Sequence, residues 1–335
     1  MRKTEALQKF KEVMMMLRRQ PGTIDAYLGW AGQYIDFLAT LPPDMPREEK
    51  IGKFLSRLVI KDNVAWSTQK QALCAIVRFH KWVIKVEVGK IIFARSTRPK
   101  YLPVVFSREE VWRVLDRLDG VGWLWGAVFM YGCGLRLNEV CSLRVKDIDL
   151  DRMMVHVREG KGLKDRYVPL PQMGVEPLRK YLRNLRHEYE RFASARVPVT
   201  LPNALDRKYP KAPYEWPWFW LFPAAAPAKD PKWGGKLWHV HPTAVQKRIK
   251  RAINAAQISK KASCHTFRHS YATHWLESAE GSHEVALLRL QKLLGHAPGS
   301  KTVWTYLHLL KPKSDIPSPL DCRPERTAIE FRKVA

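Results

Sequence analysis

Apolar positions recur at helical spacing through the first part of the chain. Ile24, Tyr27, Leu28, Ala31, Ile35 and Leu38 fall on one helical face, and "LPPDMP" then breaks it. A second helix is expected near 47–60. A third, capped by Ser67, carries Leu73, Ile76, Val77, His80 and Ile84 on its apolar face. Basic and polar residues cover the outward faces, so the pattern predicts an all-helical first segment.

The stretch "RSTRPKYLPVVF" (95–106) has two prolines and little periodicity and reads as a linker, after which Ser107 and Glu110 form a capping box. The pattern beyond is mixed. Helices over 107–118 and 121–133 precede an alternation at Met153, Val155 and Val157, and "RYVPLP" reads as the returning strand after the glycine-bearing "EGKGLKD". Lys161 falls near the tip of this hairpin. Helical spacing resumes at 175–192, 243–257, 265–278, 284–294 and 302–310, with no internal repeat. Between these lies a Pro- and Trp-rich stretch from "LPNALDRKYPKAPYEWPWFWLF" to "KLWHVHP", too varied for low complexity and too aromatic for a mere spacer.

Composition narrows the partners. With 335 residues, 46% of them apolar, and 13 Trp, the chain suits one large or two medium domains. Lys and Arg number 58 against 32 Asp and Glu, a net charge of +26 spread along the whole sequence. A polyanion that the protein wraps, nucleic acid before an anionic membrane surface, is the partner such a distribution suits. The five cysteines show no CxxC pair, which fits structural thiols in a reducing compartment. The charged N-terminus lacks a signal-peptide core, and the longest apolar run, 121–135, is too short and glycine-rich to span a bilayer. A cytoplasmic protein is expected.

One cluster stands out: "HTFRHSYATH", residues 265–274, with three histidines and an arginine. A metal site, a phosphate grip, a nucleic-acid contact and a merely histidine-rich helix all compete for it. His265, Arg268 and His269 share a helical face. Zinc would require Cys264, His265 and His269 to converge, yet adjacent positions 264 and 265 point in different directions on a helix.

The rest of the chain decides between these readings. "GLRLNEV" with Arg136, "GKG" with Lys161, "HTFRH" with His265 and Arg268, "LLGH" with His296, and Tyr306 ten residues on occur in one order. Together they resemble the tyrosine recombinase (phage integrase) family over nearly the whole chain, and the aromatic insertion is similar to the one that sets integron integrases apart. The resemblance implies a two-domain clamp around DNA: an all-α, SAM-like core-binding domain (1–95), a linker (96–106), and a mainly α catalytic domain (107–325) with a small antiparallel β-sheet. The aromatic insertion covers about 198–242, and 326–335 forms a tail. It implies a cytoplasmic bacterial enzyme, nucleoid-associated when on DNA, that inserts and excises gene cassettes.

Breaking a phosphodiester without a metal needs a nucleophile, charge on the non-bridging oxygens and a proton for the departing 5′ oxygen. By resemblance Tyr306 is the nucleophile and forms a 3′-phosphotyrosyl intermediate. Arg136 and Arg268 offer planar forks to the phosphate. His265 and His296 add hydrogen bonds and move the tyrosine proton, and Lys161 is the general acid. No cofactor or metal is called for. His269 and His274 read as structural, and Glu139 as a buttress for Arg136. The partners implied are double-stranded attachment sites and folded single-stranded hairpins, bound by a homotetramer exchanging C-terminal segments (candidate 311–325), with no membrane and no small-molecule substrate. Trp218, Pro231 and His239 are the candidate contacts to extrahelical bases.

The chain departs from the family pattern in a longer segment around "SAEGSHEVALLRL", a slightly longer spacing from His296 to Tyr306, and "YLHLL" after the nucleophile. None removes a reactive group. A type IB topoisomerase, a non-catalytic DNA-binding or architectural protein of the same fold, and a metal-dependent nuclease are the alternatives.

Overall fold

The computed structural model describes residues 2–98, 102–118, 120–158, 165–202, 205–229, 234–279 and 282–296. The chain divides into two compact units, Met1–Tyr101 and Leu102–Ala335.

The first unit is helical: α1 (Lys3–Met16), α2 (Pro21–Leu38), α3 (Arg47–Ile60) and α4 (Trp66–Phe79). Phe10, Met14, Tyr27, Ala31 and Phe79 form one apolar cluster, and Tyr34, Ile51, Phe54, Leu55 and Ile76 a second. The fully buried Gln69 staples the segment that follows. Its Nε2 donates to Leu55 O and Ala94 O at 3.0 and 2.7 Å, and its Oε1 accepts from Ser96 N at 3.1 Å.

Two expectations need correction here. Ser67 does not cap α4; the helix starts at Trp66 with Ala65 as its cap, because the Ala65 carbonyl already accepts from Thr68 and Gln69. Ile84 does not continue the apolar face of α4. A π-helical turn over His80–Ile84 widens the spiral and leaves Ile84 exposed, while His80 stays buried beside Tyr34.

The second unit begins with α5 (Arg108–Leu115), opened by the Ser107–Glu110 capping box, and α6 (Val121–Gly132). The single-turn α7 (Leu137–Cys141) follows, then a three-stranded antiparallel sheet in the order β1 (Ile148–Asp149), β2 (Met154–Val157), β3 (Arg166–Pro169). The strand expected to include Met153 starts one residue later. Met153 takes a left-handed φ of 52° to close the β1–β2 turn, so it leaves the extended strand, although its carbonyl still accepts from Leu170 N at 2.8 Å.

Helix α8 (Val175–Ser194) buries Leu178, Leu185 and Phe192 and presents basic residues elsewhere. A single turn, α9 (Leu205–Lys208), lies in the aromatic insertion, and α10 (Pro242–Ala255), α11 (Cys264–Glu277) and α12 (His283–Leu294) complete the described elements. One large core joins Trp125, Phe129, Val155, Val168, Leu185, Ile249 and Phe267. Helix α11 packs on α6 and α12, and Ser270 Oγ accepts from Phe106 N at 2.9 Å, tying the segment before α5 to that helix. The expected helix over 302–310 lies outside the described residues. No helix among the described residues is long and apolar enough to cross a membrane.

Candidate active site

Glu139 is the centre of the site. It occupies the third position of α7, so its Oε2 accepts from the backbone N–H of Arg136 at 2.8 Å and closes the helix start. Its Oε1 also accepts from Arg136 Nη1 at 2.8 Å. From β3, Arg166 forks onto the same carboxylate, Nη1 to Oε1 at 3.1 Å and Nη2 to Oε2 at 2.7 Å. From α11, Arg268 Nη1 lies 3.8 Å from Oε2. Burial pushes the Glu139 carboxyl up, but the hydrogen bonds and charges of Arg166 and Arg136 outweigh it and hold it down at about 2. One anion thus gathers three guanidiniums from three elements. Of these, Arg136 is the most open to solvent, at 23% of its side chain against 9% and 5% for Arg166 and Arg268.

Arg268 is seated by carbonyls at the ends of two helices. Nη1 donates to Gly134 O at 2.5 Å, past the end of α6, and Nη2 to Leu294 O at 2.7 Å, at the end of α12. Both glycines at these corners are left-handed: Gly134 has φ 64° and Gly295 φ 61°. A Cβ on Gly134 would meet the Tyr271 ring at 2.5 Å, and one on Gly295 would press on the Arg166 guanidinium at 3.0–3.2 Å. Glycine here lets the chain reverse against the site.

The α12 turn delivers His296, whose Nε2 lies 3.3 Å from Arg268 Nη2. A guanidinium can only donate, so in this contact Nε2 accepts and the imidazole proton sits on Nδ1. His265 lies in the first turn of α11. Its pKa is lowered by partial burial and then by the charges of Arg268 and Arg136, which favours the neutral ring at neutral pH. His269 is pushed further down, to about 4, chiefly by burial. His274 accepts or donates one hydrogen bond at Nδ1, 2.9 Å from Tyr131 Oη. Cys264 is buried in the core, and among the described residues no three His, Cys, Asp or Glu side chains are grouped to hold a metal ion.

The structure therefore brings Arg136, His265, Arg268 and His296 together. Lys161 and Tyr306 lie outside the described residues, as does Pro231. Chemically, the assembled part is a cationic pocket flanked by neutral imidazoles, suited to a tetrahedral oxyanion such as a phosphodiester.

The chain is similar to known proteins along most of its length. Residues 126–312 match the phage integrase family, and residues 6–90 match the phage integrase N-terminal SAM-like domain. The chain belongs to the phage integrase family of tyrosine recombinases. It is a DNA strand-transfer enzyme of site-specific recombination. An integrase/recombinase of Escherichia coli is 37% identical over 98% of this chain and 96% of its own length. Tyrosine recombinase XerA of Thermococcus kodakarensis is 28% identical over 89% of each. In fold, the chain is similar to a lambda integrase tetramer bound to a Holliday junction, with TM-score 0.58, 11% identity and 90% of this chain against 76% of that one. It is likewise similar to the Tn1549 transposon integrase in complex with transposon right end DNA, with TM-score 0.59, 14% identity and 91% against 94%.

Within this recombinase the centre of the aromatic insertion belongs to the core. Phe219, Trp220, Leu221 and Phe222 are buried, and the insertion docks on the segment after α7 through Val145 N to Phe219 O at 3.0 Å and Leu221 N to Leu143 O at 2.8 Å. Arg144, 5% exposed, donates to Trp218 O and Thr200 O at 2.6 and 2.7 Å and lies 3.7 Å over the Trp220 ring. Trp218 is half-buried, with Lys146 Nζ 2.8 Å from its ring centre. His239 packs edge-on against Trp220 and bonds to Val240 O at 2.7 Å. A cavity of about 360 Å³ bordered by Glu139, Arg144, Asp147, Trp220 and Trp238 connects this insertion to the back of the arginine cluster.

Sequence reasoning missed Arg166, Arg144 and Lys146. Arg166 carried a usable signal: it alternates with Val168 on the inward face of a strand, where an unpaired charge is too costly to leave.

Proposed function

We propose that the protein is an integron integrase-like recombinase that inserts and excises gene cassettes, acting on duplex attachment sites and on folded single-stranded hairpins. The observation carrying the catalytic part is the Glu139 carboxylate, which draws Arg136, Arg166 and Arg268 into one pocket beside His296 and His265. In this reading Arg136 and Arg268 grip the scissile phosphate. Tyr306 Oη attacks phosphorus, its proton passing to a neutral imidazole of His265 or His296, and a 3′-phosphotyrosyl bond replaces the P–O5′ bond. Lys161 protonates the departing 5′ oxygen, and reversal of the steps by a new 5′-hydroxyl rejoins the strand. No metal or cofactor takes part.

The hairpin part rests on the insertion. Trp218 and His239, with Pro231, are the proposed contacts for bases that a folded strand presents unstacked. Four protomers around two DNA segments, exchanging segments within 311–325, complete the proposal; the tetramer in the lambda integrase structure supports that arrangement.

The experiment uses a nicked, labelled duplex whose sequence the protein itself selects from a randomised pool. The wild type is expected to leave a denaturation-resistant protein–DNA adduct, and Tyr306→Phe to bind the duplex equally and leave none. An adduct with the phenylalanine variant would remove Tyr306 from the chemistry.

A further inference from the structure

Helix α7 has a second side, turned away from the arginine cluster. Val140 and Cys141, which follow Glu139, form one wall of a cavity of about 370 Å³ between α6, α8 and α10. Leu185, Phe222 and Val245 complete an apolar interior. Pockets that take small ligands hold about 300–1,000 Å³, so the space is large enough for one. Arg136, His265, Arg268 and His296 do not line it.

Two glycines keep this space open. Gly122 and Gly126 stand one turn apart in α6, and both line it. Alanine would fit at either position. A Cβ on Gly122 would come to 3.7 Å from Tyr181 Oη, and one on Gly126 to 3.8 Å from Val245 Cγ1, both ordinary contacts. Neither glycine has a positive φ, so the backbone does not demand it, and glycine inside a helix is less favourable than alanine. The missing methyl groups leave room that close packing would otherwise fill.

The polar groups of the cavity share one character. Tyr181, Asn184 and Glu188 follow one another along one side of α8. Tyr181 spends its one hydroxyl hydrogen on Leu221 O at 2.7 Å, so Oη has only lone pairs left to offer. Burial, followed by the charge of Glu188, pushes this phenol up and keeps it protonated. The other acids of α8 are neutralised: Glu176 pairs with Arg179 at 3.2 Å and Glu190 with Arg186 at 3.1 Å. Glu188 pairs with no lysine or arginine among the described residues. In a chain of net charge +26, an apolar cavity edged by an unpaired carboxylate has the wrong sign for nucleic acid.

We propose that this cavity binds a small amphipathic cation, an ammonium carried on an apolar body the size of a ring and a short chain. The body fills the space beside Gly122 and Gly126, and the ammonium donates to Glu188 and Tyr181 Oη. Such a ligand takes no part in the DNA chemistry, yet it bears on the back of the helix that sets Arg136 and Glu139.

The test compares 4-phenylbutylamine, 4-phenylbutanol and 4-phenylbutyrate, one body with three charges, as ligands of the full chain by methyl NMR and calorimetry. The amine is expected to bind most tightly and the carboxylate least, against the general pull of a +26 chain on anions, with saturable shifts at the Val140 and Val245 methyl groups. Glu188→Gln, an exposed change, should weaken the amine about two- to fivefold and leave the alcohol unchanged. Gly126→Ala should raise the melting temperature by about 1–4 °C and weaken all three ligands. A carboxylate that binds as tightly as the amine, or an amine whose shifts miss both valines, would overturn the proposal. So would an amine affinity that neither Glu188→Gln nor Gly126→Ala alters.

Discussion

Arg166 on β3 grips Glu139 on α7 through two nearly parallel hydrogen bonds of 3.1 and 2.7 Å, with both side chains only 9% exposed. The pair joins the hairpin strand to the helix that presents Arg136, and Arg166 Nε adds a bond to Leu293 O at 2.8 Å, three residues before His296. Arg166→Lys keeps the charge and loses the fork, so it should lower both the melting temperature and the cleavage rate. Arg166→Ala should cost more, about 3–5 kcal/mol, because it strips a buried carboxylate of its main partner. Thermal unfolding of the three proteins checks the ranking, and a lysine variant as stable as wild type would show that the fork geometry is immaterial.

The same pair predicts a pH dependence. The Glu139 carboxyl is held at about 2, below its ordinary 4.5. A carboxyl lowered by folding contributes stability that is fully present above its unfolded pKa and lost as pH falls through the folded one. The stability gap between wild type and Glu139→Gln should therefore be constant near neutrality and shrink from about pH 4.5 toward pH 2. Melting curves of both proteins over that range measure it. A gap that widens on acidification would mean that the ion pairs do not hold Glu139 ionised.

The sequence showed more of the chemistry than of its support. Arg136, His265, Arg268 and His296 are distinguished by order and spacing, and the fold brings them together. Helix α3 was legible because its apolar face is clean and breakers flank it. The expectations that went astray depend on tertiary context. Ile84 leaves the apolar face because of a π turn that no residue type announces, and Met153 leaves the strand because the chain must turn to pair β1 with β2. Arg166 and Arg144 read as two basic residues among 58, and only burial separates them from solvated ones. Lys161 and Tyr306 remain sequence assignments.

Gly134 offers a test of how tightly the phosphate grip is seated. Its carbonyl accepts from Arg268, its φ is 64°, and an added Cβ would strike the Tyr271 ring. Gly134→Ala should cost on the order of 1–3 kcal/mol from backbone strain, with the ring clash in addition. Because the corner must move, Arg268 should move with it and adduct formation should fall further than stability accounts for. Melting temperature and adduct yield, measured below the transition of the variant, separate the two effects. Full activity in the folded variant would show that Arg268 does not need this carbonyl.

Two of the insertion's tryptophans should part company. Trp220 is buried under Arg144, so Trp220→Ala should behave as a core deletion, costing roughly 3–5 kcal/mol and weakening every DNA ligand together. Trp218 is half-buried and carries the Lys146 ammonium on its ring; burial, followed by the charge of Arg158, pulls that lysine down to about 8. An unstacked base has a π-face to offer in place of Lys146, worth about 1–3 kcal/mol per stacked base. Trp218→Ala should therefore leave the melting temperature nearly unchanged and weaken binding to a hairpin with bulged-out bases about five- to a hundredfold. Binding to the same hairpin without the bulges should change little. His239→Ala should follow the Trp218 pattern if its ring is a contact and the Trp220 pattern if it serves only to pack against that residue. Equal losses on both hairpins for Trp218→Ala, or a melting shift large enough to explain them, would make the whole insertion a satellite core and leave hairpin recognition to other residues.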